Sequence, residues 1–198
     1  MLAIAVASLA GCGSGTGQAI TLDQCESFPA EGDWSADGEM IRTAGEVKGY
    51  LATRQAYGGD GVITVQYQFQ PSRDGDMPDA AANTGLLFHI AEEDRVWPVC
   101  IEAQGKWSEM GELKANGGLD DVGATLMGPR RDAVREKVGL WNELRIEIAD
   151  GRVKSYVNGV PVAESGTGGR TSGRIGIQSE RYPVLFREFR TTLTPSDP

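Results

Sequence analysis

The chain has 198 residues, of which 40% are hydrophobic and 24% charged, a composition typical of one globular domain with or without a tail. The formal net charge of −9 disfavours nucleic acid as a partner, because a negative surface repels phosphate, and it is compatible with a neutral, hydroxyl-rich ligand. The 27 glycines lie in scattered turns between segments of alternating polarity, which predicts an all-β fold rather than disorder.

The N-terminal segment has features of an export signal. Residues 1–10 form an apolar, small-residue run that is too short to span a bilayer, and the run leads into Gly11 and Cys12. This pattern resembles a bacterial lipoprotein signal in which Cys12 receives the lipid, although no Lys or Arg precedes the run. The alternative is an ordinary secretory signal with an unrelated cysteine. The predicted division is a signal peptide at 1–11, a lipidated cysteine and flexible tether at 12–24, a β-sandwich domain at 25–194 and a tail at 195–198.

A lipid on Cys12 would attach the protein to a membrane of the cell envelope, in the periplasm or at the outer membrane. Gly13 follows in place of the Asp that retains lipoproteins at the inner membrane, which favours the outer membrane. The two other cysteines, Cys25 and Cys100, have two alternatives. They pair in an oxidising compartment, or they are small buried residues that never meet.

Alternating polarity predicts three strands in the first half of the chain. Residues 61–70 alternate cleanly, residues 86–90 form a second strand and residues 96–104 form a third. In the third strand the apolar side chains of Val99, Ile101 and Ala103 share one face. Its opposite face carries Cys100, Glu102 and Gln104.

The second half predicts a β-meander and two further strands. Asp150-Gly151 and Asn158-Gly159, dipeptides that favour positive φ, separate strands at 144–148, 153–157 and 160–163. Only one segment looks helical, a short surface helix at 129–138 that starts with Pro. Many short strands separated by turns predict two antiparallel sheets packed face to face. The other two predicted strands are 174–179 and 184–190.

In order along the chain, these strands resemble the 3-keto-disaccharide hydrolase domain family. The most specific part is the Trp-Pro-x-x-Ile-Glu-x-Gln pattern of Trp97–Gln104. The resemblance implies a concanavalin-A-like, lectin-like jelly-roll sandwich. The chain departs from the family pattern at His89, where Arg is common, and matches it weakly over 105–118. The other matching segments are Trp34–Ile41, Gly49–Thr53, Tyr57–Gly59, Asn83–His89, Trp141–Asn142, Val157–Val160 and Gly173–Gln178.

The polar face of the Glu-x-Gln strand is the candidate site. If Ile101 fills the core, Glu102 and Gln104 lie on the outer, concave surface, where a carboxylate and an amide offer a base and hydroxyl-binding groups. The chain's one histidine, His89, shares a strand face with Leu87 and would meet Glu102 if that face is also concave. The two side chains would then bind a divalent metal ion or share a proton.

Simpler interpretations exist for each of these residues. His89 is then a hydrogen-bonded structural residue, and Glu102 pairs with an Arg such as Arg54.

Trp107 would offer a stacking platform for a sugar ring at the mouth of the site. Lys114 lies in a Gly-rich loop and would close over the sheet or stay a solvated charge.

The family resemblance implies a reaction on oxidised glycosides. A ketone on the sugar acidifies the neighbouring C–H, a base removes that proton, the glycosidic bond breaks by elimination and water adds later. Glu102 would be the base or a metal ligand, and His89 the acid or a second ligand. The remaining predicted substrate contacts are Gln104, Asn83, Trp107, Arg54 and Lys114.

Two other function classes are compatible with the same sequence. A non-catalytic carbohydrate-binding module has the same fold and needs only aromatic and amide groups. A structural envelope lipoprotein would present an apolar concave surface instead of a polar groove.

Overall fold

Two antiparallel β-sheets packed face to face form the fold in the computed structural model, which describes residues 17–91 and 95–197. The predicted signal and Cys12 lie outside the described residues. Within them no helix is long and apolar enough to span a membrane. The strands are β1 Gln18–Ala19, β2 Cys25–Phe28, β3 Trp34–Asp37, β4 Met40–Thr43, β5 Gly49–Thr53, β6 Ala56–Gly58, β7 Gly61–Phe69, β8 Gly85–Ile90, β9 Cys100–Gln104, β10 Leu113–Asn116, β11 Thr125–Leu126, β12 Asn142–Ala149, β13 Arg152–Val157, β14 Val160–Gly166, β15 Ser172–Ser179, β16 Val184–Thr191 and β17 Thr194–Ser196.

The strand order places residues that are distant in sequence side by side. The first sheet has the order β11-β14-β13-β12-β7-β16-β4-β3, with β1 on β16. The second has the order β10-β9-β8-β15-β5-β2, with β6 and β17 at one end of β15. The all-β sandwich predicted from the sequence is therefore confirmed, and β9 lies between β8 and β10.

The core fills the space between the sheets. Alternate residues of β7 and β12, including Ile63 and Ile146, point inward and are fully buried. They pack in one cluster with Leu86, Ile101 and Ile177 of the second sheet. This arrangement is expected for strands with one apolar face, because burial of that face between two sheets is the main stabilising contribution.

Positive-φ turns connect the strands of the meander. Asp150 and Gly151 both have positive φ, as do Asn158 and Gly159, so each pair forms the two-residue turn that matches the twist of antiparallel strands. The predicted meander β12–β13–β14 is confirmed.

An amide network explains part of the sequence pattern near this meander. The Oδ1 atom of buried Asn142 accepts hydrogen bonds from the Glu136 backbone N–H at 2.8 Å and from Asn158 Nδ2 at 3.0 Å. Asn158 Oδ1 accepts a hydrogen bond from the Glu143 N–H at 2.8 Å. The two asparagines therefore fix the loop before β12 to the β13–β14 turn.

Asn142→Ala should destabilise the fold by about 2 kcal/mol, because two part-buried hydrogen bonds to the Asn142 side chain are lost. Urea unfolding would measure the change. Leu140→Ala is the control, since that side chain is 49% exposed and only its backbone joins the network. Equal stability of the two variants would show that the network contributes nothing.

The helix predicted at 129–138 is wrong. The structure has a single 3₁₀ turn there, Arg131–Ala133. Side chains from outside the segment bind its carbonyls: Asn158 Nδ2 donates to Val134 O and Trp107 Nε1 donates to Glu136 O. These tertiary bonds hold the segment as an irregular loop against the first sheet.

Three boundaries differ from the sequence prediction. Strand pairing begins at β1, inside the segment predicted as a tether, and Ile20 is buried. β17 lies partly in the predicted tail and pairs with β6. The strand predicted from Val96 begins only at Cys100.

The two described cysteines do not pair. Both are buried and free, with Cys25 in the main core and Cys100 in a smaller cluster on the outer face of the second sheet. They lie on different faces, so the alternative of two separate buried residues applies. Burial raises the pKa of the Cys25 thiol to about 12.

Candidate functional site

The outer face of the second sheet presents the predicted polar side chains of β9. Ile101 and Ala103 pack in the core, so Glu102 and Gln104 point to the opposite face, as the alternation predicts. The register places Glu102 between Lys114 of β10 and Leu87 of β8. The two polar side chains are not openly exposed: Glu102 is 3% and Gln104 is 6% accessible.

Glu102 is a buried carboxylate with one oxygen left without a protein partner. Its Oε2 accepts a hydrogen bond from Asn116 Nδ2 at 2.5 Å, whereas its Oε1 is buried and has no hydrogen bond. Burial raises the pKa of Glu102 to about 7, and the Asn116 hydrogen bond and the charge of Lys114 oppose that rise. A carboxyl group with a pKa near 7 can both accept and release a proton at neutral pH.

Gly85 makes room for this carboxylate. Gly85 pairs with Gln104 across β8 and β9, and a Cβ atom at Gly85 would lie 2.4 Å from Glu102 Oε1. Any larger residue would therefore displace the carboxylate. The glycine of the Asn-Thr-Gly segment thus has a packing role next to Glu102.

Two amide oxygens lie on the same part of the face. Asn83 and Glu180 form an isolated antiparallel β-bridge, which continues the β8–β15 pairing of Leu86 with Ile177. The same register places Gln178 opposite Gly85. Asn83 Oδ1 and Gln178 Oε1 are buried and lack hydrogen-bond partners, like Glu102 Oε1. Three unpartnered oxygens around one glycine form a set of acceptors for the hydroxyl groups of a ligand.

A charged network surrounds these acceptors at the Asn83 end. Asn83 Nδ2 donates to Glu180 Oε2 at 2.7 Å, and Glu180 Oε1 lies 2.6 Å from Lys48 Nζ. The same Lys48 Nζ lies 4.8 Å from the centroid of the Trp97 ring. Trp97 is 37% exposed, so an accessible aromatic ring stands at the edge of the site.

A second network lies on the β10 side. Lys114 Nζ pairs with Glu109 Oε2 and lies 3.8 Å from Glu112 Oε2. Hydrogen bonds from Lys106 and Lys114 lower the pKa of Glu109 to about 2. The predicted Lys114 lies on β10 and not in a loop, and it faces the site as part of an ion-pair network.

Two other predicted contacts lie elsewhere. The Trp107 ring is covered by the Arg135 guanidinium, whose Cζ lies 3.8 Å from the ring centroid, and its Nε1 donates to Glu136 O. Arg54 does not pair with Glu102; its guanidinium donates to the backbone oxygen of Asp23 at 2.6 Å. Gln104 is on the predicted face, where its Oε1 accepts a hydrogen bond from the Lys106 N–H.

His89 is not brought to Glu102. A β-bulge shifts the register of β8, so Leu87 and Ile90, three positions apart, both pack in the outer-face cluster. His89 lies between them with a φ of 51°, and neither ring nitrogen has a hydrogen-bond partner. Burial, and then the charge of Arg170, lowers the pKa of His89 to about 4. A cationic acid at neutral pH is therefore disfavoured.

The metal site predicted from His89 and Glu102 does not fit this arrangement. The charged neighbours of Glu102 are Lys114, Glu180 and Glu109, not His89. Within residues 17–91 and 95–197, no three His, Cys, Asp or Glu side chains converge as a ligand set. The acceptor set instead offers the carboxylate of Glu102 and the amide oxygens of Asn83 and Gln178.

Sequence reasoning missed four residues that define the site, namely Asn116, Gln178, Glu180 and Lys48. Asn116 lies on β10 beside β9, and Gln178 lies on β15 beside β8, with Glu180 just after it. Lys48 precedes β5, the strand on the far side of β15, so only the sheet topology brings these residues together. Gln178 has the one available signal, since it ends the Gly-Arg-Ile-Gly-Ile-Gln segment that resembles the family.

Known structures share this fold. A candidate glycosyl hydrolase from Parabacteroides distasonis ATCC 8503 is 14% identical, with a TM-score of 0.63 over 89% of this chain and 90% of that chain. The carbohydrate-binding module CBM66 from Bacillus subtilis is 11% identical, with a TM-score of 0.59 over 85% of this chain and 94% of that chain. A Bacillus subtilis protein with a galectin-like fold is 12% identical, with a TM-score of 0.57 over 88% and 92%.

No curated protein matches the sequence. The profile of the 3-keto-alpha-glucoside-1,2-lyase-like domain matches residues 20–192, which is nearly the whole sandwich and includes every residue of the acceptor set. The match agrees with the family resemblance carried by the Trp-Pro-x-x-Ile-Glu-x-Gln strand. The chain therefore belongs to the 3-keto-alpha-glucoside-1,2-lyase-like domain family.

Proposed function

We propose that this protein binds 3-keto-glycosides on the outer face of the second sheet and cleaves their glycosidic bond by elimination, with Glu102 as the base. The observation that carries the proposal is a buried carboxyl group with a pKa near 7 and an unpartnered oxygen beside two unpartnered amide oxygens. An ordinary buried Glu satisfies both oxygens within the protein. This set fits a ligand with several hydroxyl groups and one acidic C–H.

The proposed reaction uses one proton twice. Glu102 removes the proton from C2, next to the C3 ketone, and the electron pair forms the C1–C2 double bond as the C1–O bond breaks. The protonated Glu102 then returns that proton to the leaving oxygen, and water adds to C1 in a later step. Both transfers suit a group with a pKa near the working pH.

Positive charge is needed where the ketone oxygen becomes an enolate. Lys114 is next to Glu102 across the β9–β10 pair, and Lys48 is at the Asn83 end of the acceptor set. Each is paired with a carboxylate, Glu109 or Glu180, and would act on the enolate oxygen as an ammonium hydrogen-bond donor. Asn83 and Gln178 would orient the sugar through hydroxyl hydrogen bonds, and Trp97 would pack on a sugar ring.

The experiment compares a 3-keto-glucoside with the same glucoside before oxidation. The proposal predicts sugar release from the keto compound alone, because only the ketone acidifies the C2 proton. Incubation in D₂O should also place deuterium at C2 of the released sugar, because addition of D₂O to the C1–C2 double bond delivers deuterium to that carbon. Saturable binding of both sugars without release would contradict catalysis and leave a carbohydrate-binding module, as CBM66 from Bacillus subtilis is.

Export and lipidation at Cys12 stay a prediction from the sequence. Mass spectrometry of the mature N-terminus would check it, since an unmodified Cys12 would exclude the lipid anchor and with it the proposed contact with the envelope membrane.

A further inference from the structure

A groove of about 1080 Å³ lies at the β2 edge of the second sheet, apart from the acceptor set around Gly85. Its walls come from β2, from the following residues up to Trp34 and from Arg95 and Val96 of the connection between β8 and β9. None of Glu102, Asn83 or Gln178 lines it. The groove is therefore a separate feature that the proposed elimination does not use.

The described lining of this groove contains more arginine than acid. Arg54, Arg95 and Arg174 contribute guanidinium groups to it, and Glu26 contributes a carboxylate. The chain as a whole has a formal charge of −9. A local excess of arginine on an acidic protein is a feature that attracts an anionic ligand.

Arg174 is the buried arginine of the groove. Its side chain is 8% exposed, and one terminal nitrogen pairs with Glu26 while its Nε is buried without a hydrogen-bond partner. A buried guanidinium with an unused donor is costly unless a ligand completes it. Arg54 donates to a neutral backbone oxygen, that of Asp23, so this contact leaves its charge uncompensated.

Aromatic rings stand beside the arginines. The Arg174 guanidinium lies 4.8 Å from the centroid of the Phe28 ring, and Phe28 stacks on Tyr50 with centroids 5.0 Å apart. Trp34 lines the same groove. Aromatic faces pack against the C–H surface of a sugar ring, and arginine forks recognise a carboxylate through two parallel hydrogen bonds.

We propose that this groove binds a carboxylate-bearing saccharide, a uronate, with the carboxylate on the arginines and the sugar ring on Trp34. The site goes beyond the proposed function, because elimination from a 3-keto-glycoside needs no charged group on the sugar. The open shape suits a ring or a short oligosaccharide rather than a single small ion.

Calorimetric titration with methyl β-glucuronide tests the proposal, and methyl β-glucoside and inorganic phosphate serve as comparison ligands. The glucuronide should bind at least about tenfold more tightly than either comparison ligand, and added salt should weaken it. Arg54→Gln should lower the affinity for the glucuronide about tenfold, the usual contribution of a charge-assisted hydrogen bond. Arg54 is exposed, so the change does not disturb the core.

Arg152→Gln is the matched control, since that side chain is 68% exposed and belongs to β13 of the other sheet. Glu102→Gln should keep full glucuronide affinity, which separates this proposal from the proposed catalysis. Equal binding of glucoside and glucuronide, phosphate binding as tight as that of the glucuronide, or unchanged affinity in Arg54→Gln would overturn the uronate site.

Discussion

Glu102→Gln should lower the turnover of a 3-keto-glucoside by about 10²- to 10⁴-fold, the usual contribution of a positioned general base. The substitution keeps the size of the side chain and an oxygen for the Asn116 hydrogen bond, but it removes the group that accepts the proton. Binding of the sugar should persist, because Asn83 and Gln178 are untouched. Steady-state kinetics should therefore show a loss in kcat with a smaller change in KM.

Glu39→Gln is the matched control for this loss. Glu39 is an exposed carboxylate of the β3–β4 turn that pairs with Arg190 of β16. Both residues belong to the first sheet, which does not carry the site. Turnover should stay at the level of the unchanged protein. If Glu102→Gln retained full turnover while Glu39→Gln did the same, Glu102 would not be the base.

The pH dependence of the unchanged protein follows from the same carboxylate. The base must be ionised, so kcat/KM should rise with pH and level off above about 7, where the carboxyl group of Glu102 loses its proton. Asn116→Ala should move this midpoint to higher pH, because the lost hydrogen bond favours the ionised form. A midpoint that stays in place would show that another group titrates.

The sequence alone predicts a large part of the fold because strand alternation is local. β7 and β12 alternate apolar and polar residues over eight or nine positions, and the turns between β12, β13 and β14 use dipeptides with positive φ. The same alternation correctly places the Glu102 side chain on the face of β9 opposite to that of Ile101. Such features depend on neighbours in sequence, so they can be read without the topology.

The composition of the site depends on strand order and could not be read in the same way. Asn116 reaches Glu102 because β10 pairs with β9, and Gln178 lies opposite Gly85 because β15 pairs with β8. The period-two pattern also failed at His89, since a bulge inserts one residue and ends the alternation. Hydrogen bonds from distant side chains likewise replaced the predicted helix with a loop.

The site also differs from the predicted open groove in its burial. Glu102 is 3% accessible, so the acceptor set is covered on the face where the sequence predicted an exposed concave surface. Lys48 and Trp97 lie against each other at its edge. Burial of this kind strengthens hydrogen bonds to a bound sugar, but it makes the ionised carboxylate costly to the folded protein.

That cost should make Glu102→Gln more stable than the unchanged protein at pH 8, by on the order of 3 kcal/mol. The folded carboxyl group has a pKa of about 7, raised from its ordinary value of 4.5 chiefly by burial. The folded state therefore holds the proton more tightly than the unfolded chain. The contribution of the bound Glu102 proton to the stability of the fold is fully present below about pH 4.5. It is lost as the pH rises through 7.

Gln is neutral throughout, so the advantage of the variant should be absent near pH 4.5, grow between pH 4.5 and 7 and stay constant above that range. Urea unfolding at pH 4.5 and pH 8 measures it, with Glu39→Gln as the exposed control that should show no such change. A stability difference that is the same at both pH values would contradict a buried, ionised Glu102. A gain in stability at pH 8 together with a loss of turnover would mean that the carboxylate is retained at a cost to the fold, as expected of a group that serves a reaction.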